Sequence, residues 1–229
     1  MSWLSALYNT FENNQMQLQD TAAPILPICH TTQQAHLEVV INNDGEFLRA
    51  YVVPREDNTT IIPCTESSSS RAGTKPVNHP LCDKLQYLAG DFVDFGGVVT
   101  RGFAKDPTAP YLTYLIELKE WEQSSFGHPK LTAIVQYVEK GTLIQDLINY
   151  SILHVDQSDK LVDKWENKDD EPEIFKVLPR TQSQYDAFVR WRVETPATLE
   201  TSVWKDQELI EAWIKYYTSK IQEKDICYV

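Results

Sequence analysis

The stretch HLEVVINNDGEFLRAYVV, residues 36–53, decides the fold. Two runs rich in apolar and β-branched residues, 36–41 and 47–53, flank the turn Asn42–Gly45. An Asp-Gly step permits the positive φ angles that tight hairpin turns need. Residues 34–53 are therefore predicted to form a β-hairpin and to begin an antiparallel sheet.

Beyond the hairpin, the apolar residues recur mostly at helical spacing. The strongest stripe lies in 111–124, and the break Gly127–Pro129 separates it from the next helix. The predicted helices span 3–12, 81–89, 111–124, 130–139, 142–149 and 206–221, with Asp206 as the N-cap of the last.

Two further segments have strand character. Ala187–Val193 alternates apolar and basic residues, and Ser151–Val162 is typical of a strand, a turn and a second strand. The fold class predicted from these elements is α+β, an antiparallel sheet with a packed helical layer. We expect a sub-boundary near 105–110, with a helical insert over about 111–150.

Composition limits the function. The chain has 229 residues, 21 Lys and Arg against 33 Asp and Glu, and a net charge of −12. So acidic a chain lacks a general nucleic-acid-binding surface, and contact with DNA or RNA requires a local basic patch. No run of about 18 apolar residues and no signal peptide is present. Four cysteines without a CxxC pair are typical of free thiols, and we expect a cytoplasmic protein without membrane contact.

Residues 64–80, CTESSSSRAGTKPVNHP, are predicted to form a polar loop. The overlapping segment 67–84 has a net charge of +2, whereas 156–173 has a net charge of −5 and is predicted to be a solvated loop region. Lys and Arg pair with phosphates, and short polar side chains reach base edges. The segment 67–84 is therefore a candidate DNA-contacting loop, and an ordinary serine-rich surface loop is the alternative.

Signatures of catalysis are missing: the sequence has no GxSxG, Walker A, GxGxxG or HExxH motif. Asp91 and Asp94 could hold Mg²⁺ in a metal-dependent nuclease, but no third acid accompanies them, which favours turn and capping roles. A zinc site would need about four ligands. Scattered candidates for it are Cys29, His30, Cys64, His79 and Cys82. We therefore expect no enzymatic activity, no metal and no cofactor.

Two other features have open interpretations. Arg190 and Arg192 share a strand face and either extend a basic surface or form a solvated face balanced by acids. The chain ends on the strand-like Ile226–Val229. We expect the sequence to be the front part of a longer one, with 1–229 as its N-terminal domain.

Several landmarks in order resemble the large subunit of the type I-C CRISPR interference complex (Cascade). The family's pattern of an arginine loop, a Pro-Asn step, an Asp and a Tyr-x-x-Gly is similar to RAGTKPVNHPLCDKLQYLAG at Arg71–Gly90. Further landmarks are Leu7-Tyr8, Asp44-Gly45, Phe188–Val193, Trp204–Asp206 and Cys227–Val229. The serines Ser67–Ser70 and the extra residue between Pro76 and Asn78 depart from the pattern.

The resemblance implies a non-catalytic subunit that reads the protospacer-adjacent motif (PAM) in double-stranded DNA and helps to open the duplex. The implied partners are the subunit that holds the 5′ handle of the guide RNA, the other backbone subunits and a helicase-nuclease recruited later. Because the guide reads most of the target, a small reader suffices. The predicted DNA and PAM contacts are Arg71, Gly73, Thr74, Lys75, Asn78 and Lys84. The alternatives are a structural scaffold without DNA contact, the nuclease above and an acidic DNA mimic.

Overall fold

The computed structural model describes residues 26–70, 77–98, 106–196 and 198–221, and also Trp3, Ala6 and Asn9, which are helical. The rest of the predicted helix 3–12 and the predicted C-terminal strand lie outside the described residues. The described strands are β1 His30–Gln34, β2 Leu37–Asn42, β3 Phe47–Val52, β4 Thr59–Pro63 and β5 Val189–Glu194.

The predicted hairpin is confirmed by β2 and β3, which pair antiparallel around a turn that contains Gly45 at φ +67°. The second neighbour of β2 is β5, which runs parallel to it, Leu37 opposite Val189. The three-stranded sheet, ordered β3-β2-β5, is therefore mixed, where the sequence predicted an antiparallel one. Antiparallel β1 and β4 form a separate two-stranded sheet, which the sequence analysis did not predict.

The helices confirm the α+β class. They are α1 Glu66–Ser70, α2 Leu85–Leu88, α3 Ala109–Glu122, α4 Pro129–Glu139, α5 Leu143–Asn149, α6 Glu173–Val177 and α7 Gln207–Lys220. Single 3-10 turns occur at Arg55–Asp57, Lys168–Asp170 and Gln184–Asp186. Asp206 caps α7 as predicted, because its carboxylate accepts hydrogen bonds from the backbone N–H groups of Glu208 and Leu209.

Two predicted elements are shorter in the structure. The helix predicted over 81–89 is reduced to α2, since Lys84 is extended and forms a β-bridge with Phe188. Within 151–162 a bridge between Val155 and Leu161 replaces the two predicted strands. The acidic region 156–173 is mostly exposed, as predicted.

The core lies between the three-stranded sheet and the helices and is rich in aromatic rings. Tyr137 of α4 meets Trp191 of β5 edge to face at 5.7 Å between ring centroids. Trp121 of α3 meets Trp213 of α7 in the same way at 5.0 Å. Among the described residues, no helix has both the length and the apolar composition that crossing a bilayer requires.

Candidate nucleic-acid interface

The candidate DNA-contacting loop is described only at its two ends. Arg71, Gly73, Thr74 and Lys75 lie in 71–76, outside the described residues. Before this gap the chain forms α1, and after it the chain continues from Val77.

The N-terminal end of the loop is a capped helical turn. The backbone N–H of Thr65 donates to the Ser68 hydroxyl at 2.8 Å, and that of Ser68 donates to the Thr65 hydroxyl at 3.1 Å. The backbone N–H of Glu66 donates to the hydroxyl of Tyr217 in α7 at 3.0 Å. The two reciprocal bonds between Thr65 and Ser68 satisfy N–H groups at the start of the helix in the manner of a capping box, which explains why part of the predicted loop 64–80 is helical.

The C-terminal end of the loop is fixed by buried polar contacts. Asn78 is 4% exposed, and its side-chain amide donates to the Glu117 carboxylate of α3 at 2.9 Å. Asp83 is fully buried and accepts hydrogen bonds from the backbone N–H groups of His79, at 2.6 Å, and Lys84, at 2.7 Å. Asn78 therefore holds the chain against α3.

Lys84 points to a neighbouring acid. Its Nζ lies 3.0 Å from Oδ1 of Asp186, and the two side chains are 32% and 40% exposed. The ammonium is thus balanced within the protein, although solvent still reaches it.

The two ends are held on helices that are tied to each other. Glu117 belongs to α3 and Tyr217 to α7, and the Lys220 ammonium of α7 pairs with Glu120 of α3 at 2.6 Å. Sequence reasoning missed Glu117 and Asp186 as partners of the loop ends. They lie 39 and 102 residues from Asn78 and Lys84, so no local pattern could indicate them.

The arginines Arg190 and Arg192 do not extend a basic surface. Both guanidinium groups bind the carboxylate of Glu38, each at 2.8 Å, and the Glu38 side chain is 7% exposed. Arg190 also stacks on Trp204, 4.0 Å from the ring centroid to the guanidinium carbon. The acid that balances them is buried in the sheet, in contrast to the predicted solvated face.

Asp91 is a helix cap, as its capping interpretation predicts. Its carboxylate accepts hydrogen bonds from the backbone N–H groups of Ile144 and Gln145 in the first turn of α5, at 3.2 and 2.9 Å. Burial raises the pKa of Asp91, and these bonds oppose the rise. Asp94 is exposed.

The candidate zinc ligands do not assemble. Cys29, Cys64 and Cys82 are free thiols, and burial raises the pKa of each, for Cys82 to about 12. Within the part of the chain that the structure describes, His, Cys, Asp and Glu side chains nowhere gather in a group of three able to hold a metal ion.

Comparison with known proteins identifies the family of this chain. The model of the family described as CRISPR-associated protein (Cas_Csd1) matches residues 4–229. The chain belongs to the Csd1 family of CRISPR-associated proteins. A comparison with curated proteins found no match. The contacts that fix the chain on both sides of 71–76 are therefore features of a CRISPR-associated chain.

Proposed function

We propose that this Csd1-family chain is a non-catalytic subunit of a type I-C interference complex and that it contacts the PAM in double-stranded DNA. The observation that carries this role is the contrast in charge within a CRISPR-associated chain. Arg71 and Lys75 fall in a six-residue segment without an acid, on a chain of net charge −12.

The roles of the loop residues follow from their chemistry. Arg71 supplies a phosphate contact, and Lys75 reaches a base edge or the groove. Gly73 and Thr74 shape the backbone between them. Asn78 and Lys84 hold the C-terminal end of the loop through Glu117 and Asp186. A direct DNA contact by Asn78 or Lys84 stays a prediction, and it requires the bond to Glu117 or Asp186 to open.

A short basic segment on an acidic chain suits a protein that searches DNA for a short sequence. A complex that samples many wrong sites needs weak and reversible contacts, and two or three charges give modest, salt-sensitive affinity. Acidic surfaces elsewhere repel DNA and leave one direction of approach. Base pairing with the guide supplies the remaining specificity.

The proposed partners follow from the same role. The chain would contact the subunit that holds the 5′ handle of the guide RNA and the other backbone subunits, and the assembly would later recruit a helicase-nuclease. We place this assembly in the cytoplasm, where guide RNA and invading DNA meet.

The test is a DNA titration of the reconstituted complex with Arg71→Ala/Lys75→Ala. We expect weaker binding of a PAM-bearing duplex, a loss of preference over a scrambled PAM, and a salt slope reduced by about 1 for each lost phosphate contact. Lys164→Ala/Lys168→Ala is the matched control, since it removes two exposed lysines from the acidic region 156–173. The control should bind as the unaltered complex does.

A scaffold without DNA contact predicts a different result. In that case both double variants assemble normally and leave affinity, PAM preference and salt slope unchanged. Such an outcome would overturn PAM contact by this loop.

A further inference from the structure

Strand β1 pairs with β4 along one edge, and its other edge is unpaired among the described strands. The backbone N–H of Ala35 donates to the carbonyl of Asn58 at 2.8 Å, and the carbonyl of Cys29 accepts from the N–H of Cys64 at 2.9 Å. Because backbone groups alternate in direction along a strand, odd-numbered residues face β4. The N–H and C=O groups of Thr32 and Gln34 therefore point to the opposite edge.

The segment that precedes β5 reaches the end of that opposite edge but does not continue along it as a strand. The N–H groups of His36 and Leu37 donate to the carbonyl of Phe188, at 2.8 and 3.0 Å. Upstream of Phe188 lies the 3-10 turn Gln184–Asp186, which a capping box with Ser183 fixes. Among the described residues, no strand therefore pairs with Thr32–Gln34 from this side.

A polar groove of about 400 Å³ lies along the open edge. Its walls include Thr32, Gln34, His36, Lys84, Asp186 and Phe188. Lys84 and Asp186 balance each other. Nδ1 of His36 accepts a hydrogen bond from the N–H of Phe188, and burial lowers the pKa of His36 to about 4. The groove is thus electrically neutral near pH 7.

We propose that an extended segment of another protein subunit occupies this groove and adds to β1 as a strand. Main-chain hydrogen bonds to an exposed sheet edge are the basis of this mode of recognition. At about 3.3 Å per residue, Thr32 to Gln34 offers room for three or four partner residues. The neutral lining with amides and hydroxyls fits uncharged polar side chains, and it offers a phosphate backbone no unbalanced cation.

This assignment rests on the proposed membership in a multi-subunit complex, but it is independent of PAM contact by the segment 71–76. Among the described residues, Lys84 is the one predicted DNA contact that also lines the groove, and the neutral lining depends on its pair with Asp186. The groove and the segment 71–76 are different sites, and failure of one leaves the other standing.

The test is backbone hydrogen exchange in the isolated chain and in the complex reconstituted with its protein subunits and guide RNA. In the isolated chain the amides of Thr32 and Gln34 should exchange fast, and that of Gln33 should be protected by its pairing with β4. In the complex we expect the first two to slow at least about tenfold, with Gln33 protected throughout.

A pair of variants separates edge pairing from side-chain contact. Thr32→Pro removes the outward N–H, and proline is tolerated where the N–H faces outward from an edge strand. It should weaken incorporation of the chain into the complex at least about tenfold. Thr32→Val keeps the N–H and should incorporate normally.

Three outcomes count against strand addition. Unchanged exchange at Thr32 and Gln34 in a complex that contains the chain would overturn it while leaving complex membership intact. Protection induced by guide RNA alone would assign the groove to nucleic acid instead. Failure of the unaltered chain to join any complex would overturn the proposed function as well.

Discussion

At the residue scale, Glu38 of β2 is the buried acid that balances the two arginines of β5. Two arginines of β5 converge on its carboxylate, and Arg190 is itself 8% exposed. Removing one member of a buried ion cluster leaves the other charges without compensation, which is far more costly than losing an exposed pair.

We therefore predict that Glu38→Ala lowers the free energy of unfolding by about 3–5 kcal/mol. Glu194→Ala is the matched control, because it breaks the pair between β5 and Arg49 at side chains that are 33% and 38% exposed. The control should cost about 1 kcal/mol or less. Urea unfolding measures both. Equal losses in the two variants would contradict a special role of Glu38, and Glu38→Gln should fall between them.

The sequence alone indicates residue roles where the partner is local, and it is silent where the partner is distant. Asp206 could be predicted as a cap, since it lies directly before the helix whose first turn it caps. Asp91 caps α5 from 53 residues away, so the sequence favoured a capping role for it without indicating which helix it caps. The pairing of Arg190 with Glu38 joins residues 152 positions apart. No spacing rule reaches that far, so both a basic surface and a balanced face stayed open.

At the element scale, the hairpin turn is built for close packing on α4. Gly45 has φ +67°, and a Cβ there would lie 2.8 Å from the carbonyl oxygen of Ala133 and 2.8 Å from Cβ of Gln136. Both the backbone conformation and the space therefore require glycine at this position.

We predict that Gly45→Ala destabilises the chain by about 1–3 kcal/mol, from left-handed strain and contact with α4. Asp44→Ala, at the neighbouring exposed turn position, should change stability far less. Thermal unfolding of the two variants gives the comparison. A Gly45→Ala chain that unfolds at the unaltered temperature would show that the turn can move away from α4.

Elements with a strong local period were predictable from sequence. The hairpin and the helices near 111–124, 130–139, 142–149 and 206–221 all form close to their predicted bounds. Strands β1 and β4 were not predicted, because HTTQQ and TTIIP show no clear alternation and owe their conformation to each other. The helix predicted over 81–89 begins only at Leu85, since Asp83 and Lys84 pair with a distant segment: the carbonyl of Asp83 accepts from the N–H of Val189, and Lys84 forms a β-bridge with Phe188.

At the scale of the whole molecule, the parallel pairing of β2 with β5 joins residues near 40 to residues near 190. Local patterns carry no information on such pairing, which is why an antiparallel sheet was expected. The same long-range folding brings α3 and α7 together. Helix α7 contacts the chain before 71–76, and α3 contacts the chain after it. A basic segment between fixed ends is how an acidic chain can present a localised DNA contact.

The measurement that tests PAM contact most directly is photo-crosslinking from the loop itself. A p-benzoylphenylalanine at Lys75, in the complex bound to a PAM-bearing duplex, should crosslink to nucleotides of the PAM, and the yield should fall when the PAM is scrambled. The same group at Lys164, exposed in the acidic region 156–173, should give no DNA crosslink. Crosslinks from position 75 to protein alone, or to DNA with equal yield on a scrambled PAM, would contradict PAM contact by this loop.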